Sequence, residues 1–287
     1  MQLPGLCKRS TTLETVKTLI KSLLKPFDIT ITRYSSYQEL NNSYQALNNS
    51  YQELLHNTSR AVDDIELLHT LLSEQAPKLL KYLNQSKSQL RQDLFVLSQL
   101  NFKRNGYFVE FGATNGVDLS NTYLMEKEFG WTGILAEPAR CWHKRLLENR
   151  ISDIETNCVW IDSHSNLIFN EVDVAELSTI QTYSDTDFHK ESRKSGKTYS
   201  VKTISLNDLL AKHNAPKQID YLSIDTEGSE FEILSNFDFA KHSFQVITCE
   251  HNFTPMREKI YDLLSRYGYV RKYQELSKFD DWYVKSK

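Results

Sequence analysis

Asp225 and Glu227 stand two residues apart in the run IDYLSIDTEGSEFEIL (219–234), where an apolar stretch closes at Ile224 and an acidic, helix-like stretch follows. In an open α/β sheet a ligand is met where strands end, so both carboxylates fall where they can reach one. The run ending CEHN (249–252) adds Glu250, His251 and Asn252 on a neighbouring loop. An imidazole, with its ordinary pKa of about 6.5, is suited to take a proton at neutral pH. His251 is therefore the first candidate base and Asp225 the second, with Glu227 beside them. Oxygen and imidazole ligands also suit magnesium or manganese, so Asp225, Glu250 and His251, with Glu227 in reach, form an alternative divalent-metal set. Glu230 and Glu232 are read differently: acids in the first turn of a helix answer its dipole.

Two further runs point to a nucleoside ligand. VEFGATNG (109–116) sets Gly112 and Gly116 in a strand-to-helix turn, where a missing side chain permits a sharp bend and close backbone approach to a ligand. The pattern is not GxGxxG, which disfavours a dinucleotide. Glu110, two residues before the first glycine, suits a cationic group such as the aminoacyl sulfonium of S-adenosylmethionine. ILAEP (134–138) places Glu137 where one carboxylate can hold both hydroxyls of a ribose, one βαβ unit beyond the glycines. With Ala113 in the turn and Asn121 at the head of the next helix, the expected cofactor-binding set is Glu110, Gly112, Ala113, Gly116, Asn121 and Glu137.

Together, VEFGATNG, ILAEP, IDYLSIDTEGSEFEIL and CEHN resemble the FkbM family of methyltransferases, over residues 90–285 or so. The resemblance implies a Rossmann-like fold, S-adenosylmethionine as methyl donor, and transfer commonly to oxygen on sugars, glycans or natural-product scaffolds. It implies that Glu110, Gly112 and Gly116 line the methionine side, Glu137 the ribose, and Asp225 and Glu227 the catalytic edge. The acceptor is expected to be met by residues 162–203, Leu177–Ile180 among them. Two readings from other classes compete. One is a non-catalytic scaffold whose methyltransferase fold supports a coiled-coil assembly; the other, opposed by the glycine pattern, is a nucleotide-dependent oxidoreductase.

The elements that must position these residues show as short apolar runs alternating with helical patterns from about residue 93 on. Strands are expected at 107–111, 132–136, 157–161, 220–224, 244–249, 269–273 and 281–284. That makes a seven-stranded Rossmann-like α/β sheet with helices on both faces, occupying 90–287. Its last two strands are too close for a crossover helix and are expected to pair as an antiparallel hairpin at one edge.

In front of this domain, residues 36–56 repeat a seven-residue unit three times, SYQELNN, SYQALNN, SYQELLH. Tyr37, Leu40, Tyr44, Leu47, Tyr51 and Leu54 occupy the a and d positions, and the register is expected to continue through Thr58, Ala61, Ile65, Leu68 and Leu72. A heptad-repeat helix over 34–85 follows, with its stripe covered by a second copy (a homo-oligomer through 37–72) or by its own chain. Residues 1–33 form an amphipathic helical segment with interspersed lysines; its apolar face can lie on an anionic membrane or pack on protein.

With 287 residues and 40% hydrophobic content, the chain can build a sizeable core without metal or disulfide. A net charge of -3 gives no field for gripping nucleic acid, so no nucleic-acid partner is expected. Cys7, Cys141, Cys158 and Cys249 have no metal-ligand spacing, and no signal-peptide or membrane-spanning run occurs, so the expected location is the cytoplasm.

Overall fold

The computed structural model describes residues 9–25, 34–71 and 75–286; Cys7 and Leu72 lie outside them. The chain divides into two compact units, residues 1–62 and 63–287. The first holds α1 (Arg9–Leu24) and most of α2 (Tyr34–Thr70), so the heptad run is helical throughout. Its Tyr and Leu stripe, from Tyr37 (61% exposed) to Leu54 (63%), meets water along its whole length. Val16, Leu19, Ile20 and Leu23 of α1 are likewise exposed. Among the described residues no helix is long and apolar enough to cross a membrane.

The second unit takes in the last two turns of α2 and then alternates helices and strands. In order come α3 (Ala76–Tyr82), α4 (Gln92–Gln99), β1 (Tyr107–Phe111), α5 (Tyr123–Phe129), β2 (Thr132–Ala136), α6 (His143–Asn149) and β3 (Asp153–Glu155). Next are β4 (Cys158–Trp160), β5 (Asn166–Glu171), β6 (Thr179–Ile180), β7 (Lys197–Ser205), α7 (Leu206–Lys212), β8 (Gln218–Ile224) and α8 (Glu230–Ser235). The last are β9 (Ser243–Glu250), α9 (Met256–Arg266), β10 (Tyr269–Lys272), α10 (Gln274–Ser277) and β11 (Asp280–Lys285).

The main sheet has seven strands in the order β10-β11-β9-β8-β1-β2-β3. Strands β9, β8, β1, β2 and β3 run parallel, while β11 is antiparallel to both β9 and β10, giving the edge hairpin the sequence implies. Alternation along each strand feeds two separate cores. Val109, Phe111, Leu222 and Ile224 pack with the leucines and isoleucines of α7, α8 and α9 on one face. Phe108, Leu135, Tyr221 and Val246 pack with α3, α4 and α5 on the other. Helices thus cover both faces, and the carboxyl ends of the central strands are left open between them.

Two expectations are corrected. The third strand of the main sheet is Asp153–Glu155 rather than 157–161; Cys158–Trp160 instead opens a second, four-stranded sheet, β4-β7-β5-β6. The two short runs lie so close that one apolar pattern covers both. In addition, the heptad register is followed only in part within the catalytic unit, where Leu68 packs against the core but residues outside the stripe do so more deeply. Leu67 and Leu71 are buried (2% exposed each), whereas Ile65 of the expected stripe is 59% exposed. A half-buried ion pair lies beside that other face: Arg91 forks onto Asp64 at 2.7 and 2.9 Å.

Candidate functional site

Four strands end at one cavity. Phe111 of β1, Ala136 of β2, Ile224 of β8 and Glu250 of β9, each the last residue of its strand, line a space of about 400 Å³. This is the position the fold reserves for a ligand. The cavity also meets Gln89 and Gln92 at one end, and at the other the segment 175–189 that follows β5.

The β1 turn is shaped by contacts within the chain. Gly112, at φ 71, lies so close to the β8 loop that a Cβ would stand 2.1 Å from the Asp225 carbonyl oxygen, and its backbone lines the cavity. Gly116 serves packing instead: a Cβ there would meet Arg150 Cγ at 2.6 Å and Leu146 Cδ1 at 2.7 Å. Neither Gly116 nor Ala113, which is buried in the core, is among the residues on the cavity wall. Of the expected set, Glu110, Gly112, Asn121 and Glu137 do line it.

Glu110 lies on the wall, but its carboxylate is occupied by its own chain. Oε1 accepts from the Asn121 backbone N–H at 2.7 Å, and Oε2 from the Ser120 hydroxyl at 3.0 Å and the Thr122 hydroxyl at 2.5 Å. Arg150 stands 3.7 Å away. Burial raises the Glu110 carboxyl above its ordinary range, against the pull of Arg150. Its function here is to hold the 116–122 loop and with it Asn121. Asn121 lines the cavity; its amide donates from Nδ2 to Ser223 Oγ at 2.9 Å, and its Oδ1 is buried without a partner. A buried carbonyl oxygen in this state costs free energy until a donor reaches it.

Glu137 is also buried. Its oxygens accept from the Thr114 and Ala139 backbone N–H groups, each at 2.8 Å. The first bond steadies Thr114, a β-branched residue at φ 47. Burial pushes the Glu137 carboxyl up to about 7, with Asp225 and Glu171 adding repulsion. Each oxygen retains a free lone pair for an incoming hydroxyl.

Asp225, Glu227 and Glu250 bring carboxylate oxygens within 4.8 Å of one another on the cavity wall. Burial raises all three above the usual carboxylate range, helped at Asp225 by the charge of Glu230 and at Glu227 and Glu250 by that of Asp225. Only Glu227 has a cationic partner: Arg193 Nη2 donates to Oε2 at 2.7 Å, and Asn252 Nδ2 to the same oxygen at 3.3 Å. Glu227 adopts φ 59, held by that bond and by the Thr179 hydroxyl on its carbonyl at 2.9 Å. Glu230, as its place in the sequence suggests, closes the start of α8, accepting from Thr226 N at 2.9 Å and Gly228 N at 3.1 Å.

His251, the expected leading base, is not among the residues on the cavity wall. Its Nδ1 accepts from the Phe253 backbone N–H at 3.0 Å, and Nε2 faces Asp281 at 3.7 Å, beside Arg257. Burial holds the imidazole down to about 4 despite Asp281. One residue past the end of β9, its side chain is turned toward β11 while Glu250 faces the cavity. The residues whose oxygens come together as a metal-type set are Asp225, Glu227 and Glu250, in place of Asp225, Glu250 and His251.

Arg193 and Asp280 also belong to this region, and no sequence signal marked them. Arg193 comes from an irregular stretch far along the chain, and Asp280 reaches the wall from β11.

The model of the methyltransferase FkbM domain matches residues 110–271. No curated protein matches the chain by sequence. Among solved structures, a precorrin-6y C5,15-methyltransferase from Geobacter metallireducens is similar over 68% of this chain and 87% of its own, at 13% identity and a TM-score of 0.36. A protein from Pyrococcus horikoshii, solved as a candidate RNA methyltransferase, is similar over 63% of this chain and 67% of its own, at 12% identity and a TM-score of 0.33.

Proposed function

As the chain belongs to the FkbM methyltransferase family, we propose that it transfers a methyl group from S-adenosylmethionine to a hydroxyl oxygen of a sugar, glycan or natural-product acceptor, in the cytoplasm. The observation that supports the donor is the cavity itself, which lies at the ends of four strands and is lined by Gly112 and by two groups that accept hydrogen bonds, the Asn121 amide and the Glu137 carboxylate, the latter with no cation paired to it among the described residues. A nucleoside carrying an ammonium group offers donors to both. Glu137 is assigned the ribose hydroxyls, Asn121 the aminoacyl end, and Gly112 the backbone clearance between them. When bound, the donor supplies a methyl group already activated by its sulfonium.

What remains for the protein is to orient the acceptor and remove its proton. Asp225 is assigned the role of base, its carboxyl lifted to about 7 by burial and then by Glu230. A base poised near the working pH is the efficient one. Glu250 and Glu227 share the proton-holding cluster, and Arg193 and Asn252 position Glu227. The deciding experiment is calorimetric titration of the purified chain with S-adenosylmethionine and S-adenosylhomocysteine. Micromolar binding supports the reading, and its absence in a folded protein removes it.

A second reading of the catalytic edge is favoured by one observation. Asp225, Glu227 and Glu250 offer an all-oxygen set of the kind magnesium or manganese takes. A cation there would orient two neighbouring hydroxyls of the acceptor. We further propose that the exposed Tyr and Leu stripe of α2 is covered by a second copy of the chain, making the enzyme a homo-oligomer through residues 37–65.

A further inference from the structure

The charged side chains on the cavity wall are all acidic. Glu137, Glu176, Asp225, Glu227, Glu250 and Asp280 all present carboxyl groups to it, and among the described residues no lysine or arginine lines it. The guanidinium behind Glu227, that of Arg193, is engaged by Asp187 at 2.9 Å, by Glu227 at 2.7 Å and by the Leu177 carbonyl at 2.8 Å. The imidazole on the wall, His189, is pushed below its usual range by burial and so stays neutral.

Several backbone N–H groups in the turns around the cavity, the usual alternative for holding an anion, are already taken. Thr226 N and Gly228 N are taken by Glu230, Thr114 N and Ala139 N by Glu137, and Asn121 N by Glu110. Asn121 lines the cavity too, and its buried Oδ1, left without a partner, is again an acceptor. Opposite the carboxyl groups, Phe169, Leu177, Ile180 and Phe188 supply an apolar flank.

On the strength of the methyl-transfer reading above, we infer that the acceptor is an uncharged compound presenting neighbouring hydroxyl groups, and that its phosphate-, nucleoside diphosphate- and carboxylate-bearing forms are rejected. Hydroxyl hydrogens answer the carboxyl oxygens, and the C–H face of a ring fits the apolar flank. The methyl donor carries a sulfonium and an ammonium against a single carboxylate, and its net positive charge is compatible with the same wall. A phosphate would set further negative charge beside carboxyl groups that already repel one another, with no cation to offset it. Such an unpaired like charge is an efficient means of discrimination.

The test uses the full chain. Binding of S-adenosylhomocysteine is measured first by calorimetry; a folded chain that does not bind it overturns the methyl-transfer reading itself. The loaded chain is then titrated, by ligand-observed NMR, with methyl glycosides and polyols, with the same sugars as 1-phosphates and nucleoside diphosphate derivatives, and with inorganic pyrophosphate. The uncharged compounds are expected to bind at millimolar strength or better, and each phosphorylated counterpart at least about tenfold more weakly. In Glu250→Gln that gap should narrow. Equal or tighter binding of the phosphorylated forms overturns the inference, as does a loaded chain that binds neither class.

Discussion

Arg193 Nη2 donates to Glu227 Oε2 over 2.7 Å, with the two side chains 0% and 8% exposed, and so ties the segment that caps the cavity to the loop after β8. The same guanidinium holds Asp187 and the Leu177 carbonyl. Removing one partner of a buried pair leaves the other charge uncompensated. Arg193→Met is therefore expected to lower stability by about 3–5 kcal/mol, read by urea unfolding at pH 8. Arg193→Lys should recover only part, since the one nitrogen of an ammonium cannot reach acceptors that three guanidinium nitrogens meet from different sides. An unchanged midpoint in Arg193→Met would show that the cap is held by other contacts.

Stability should fall as pH rises. Glu137 and Asp225 are raised to about 7 and Glu227 to about 9, from ordinary values of 4.5, 3.8 and 4.5, in each case by burial first. The folded chain thus binds more protons than the unfolded one, and this contribution is lost as pH climbs through the raised values. The ligand-free melting temperature is expected to decline from about pH 5 to 9, the share of Glu137 and Asp225 being lost by about 7 and that of Glu227 by about 9, and Asp225→Asn to flatten the part below 7. A melting temperature that increases across this window contradicts the crowding of the three carboxyls.

Donor affinity should move the other way. If Glu137 grips ribose hydroxyls as an anion, binding must draw off the proton its carboxyl holds near pH 7. Calorimetry in buffers of different ionisation heat should then show proton release, with affinity rising from pH 6 to 8. Glu137→Ala should cost about 1.5–3 kcal/mol of binding, the range for charge-assisted bonds. The loss includes some loosening of Thr114 and Ala139, which Glu137 also holds. Unaltered affinity in the folded variant would take Glu137 out of the donor site.

Asp225→Asn is expected to depress turnover by about 10²- to 10⁴-fold while leaving donor affinity nearly intact, whereas His251→Gln should change turnover little. The opposite result would return the base to His251. Loss of activity on chelation, restored by magnesium or manganese, would instead favour the metal reading of Asp225, Glu227 and Glu250.

The heptad helix offers a test independent of chemistry. Full-length chain is expected to be oligomeric by light scattering, and a chain starting at Asp63 to be monomeric and still bind donor. The cut belongs there because Leu67 and Leu71 are buried in the catalytic unit, at roughly 1.5–3 kcal/mol each. A monomeric full-length chain at tens of micromolar would leave the stripe to some other cover.

The parallel order of the central strands, the glycine turn, and the arrival of Glu137, Asp225, Glu227 and Glu250 at one end of the sheet were all legible in the sequence. Each depends on local pattern: where an apolar run stops, and which residue stops it. Side-chain direction beyond a strand's last residue is not local. Glu250 and His251 are neighbours in the chain, yet one faces the cavity and the other is drawn toward Asp281 on β11, a strand that reaches its place only through the tertiary fold. Glu110 shows the same limit, since its carboxylate had a cationic ligand as its expected partner and finds the Ser120, Asn121 and Thr122 loop instead. Period alone likewise cannot say which face of α2 packs; the pocket for Leu67 and Leu71, with the Arg91–Asp64 pair beside it, settles it. Sequence determined which residues gather, because periodicity and turn chemistry are short-ranged. Their partners were decided by the tertiary structure, because burial and charge pairing are summed over segments that the chain holds far apart.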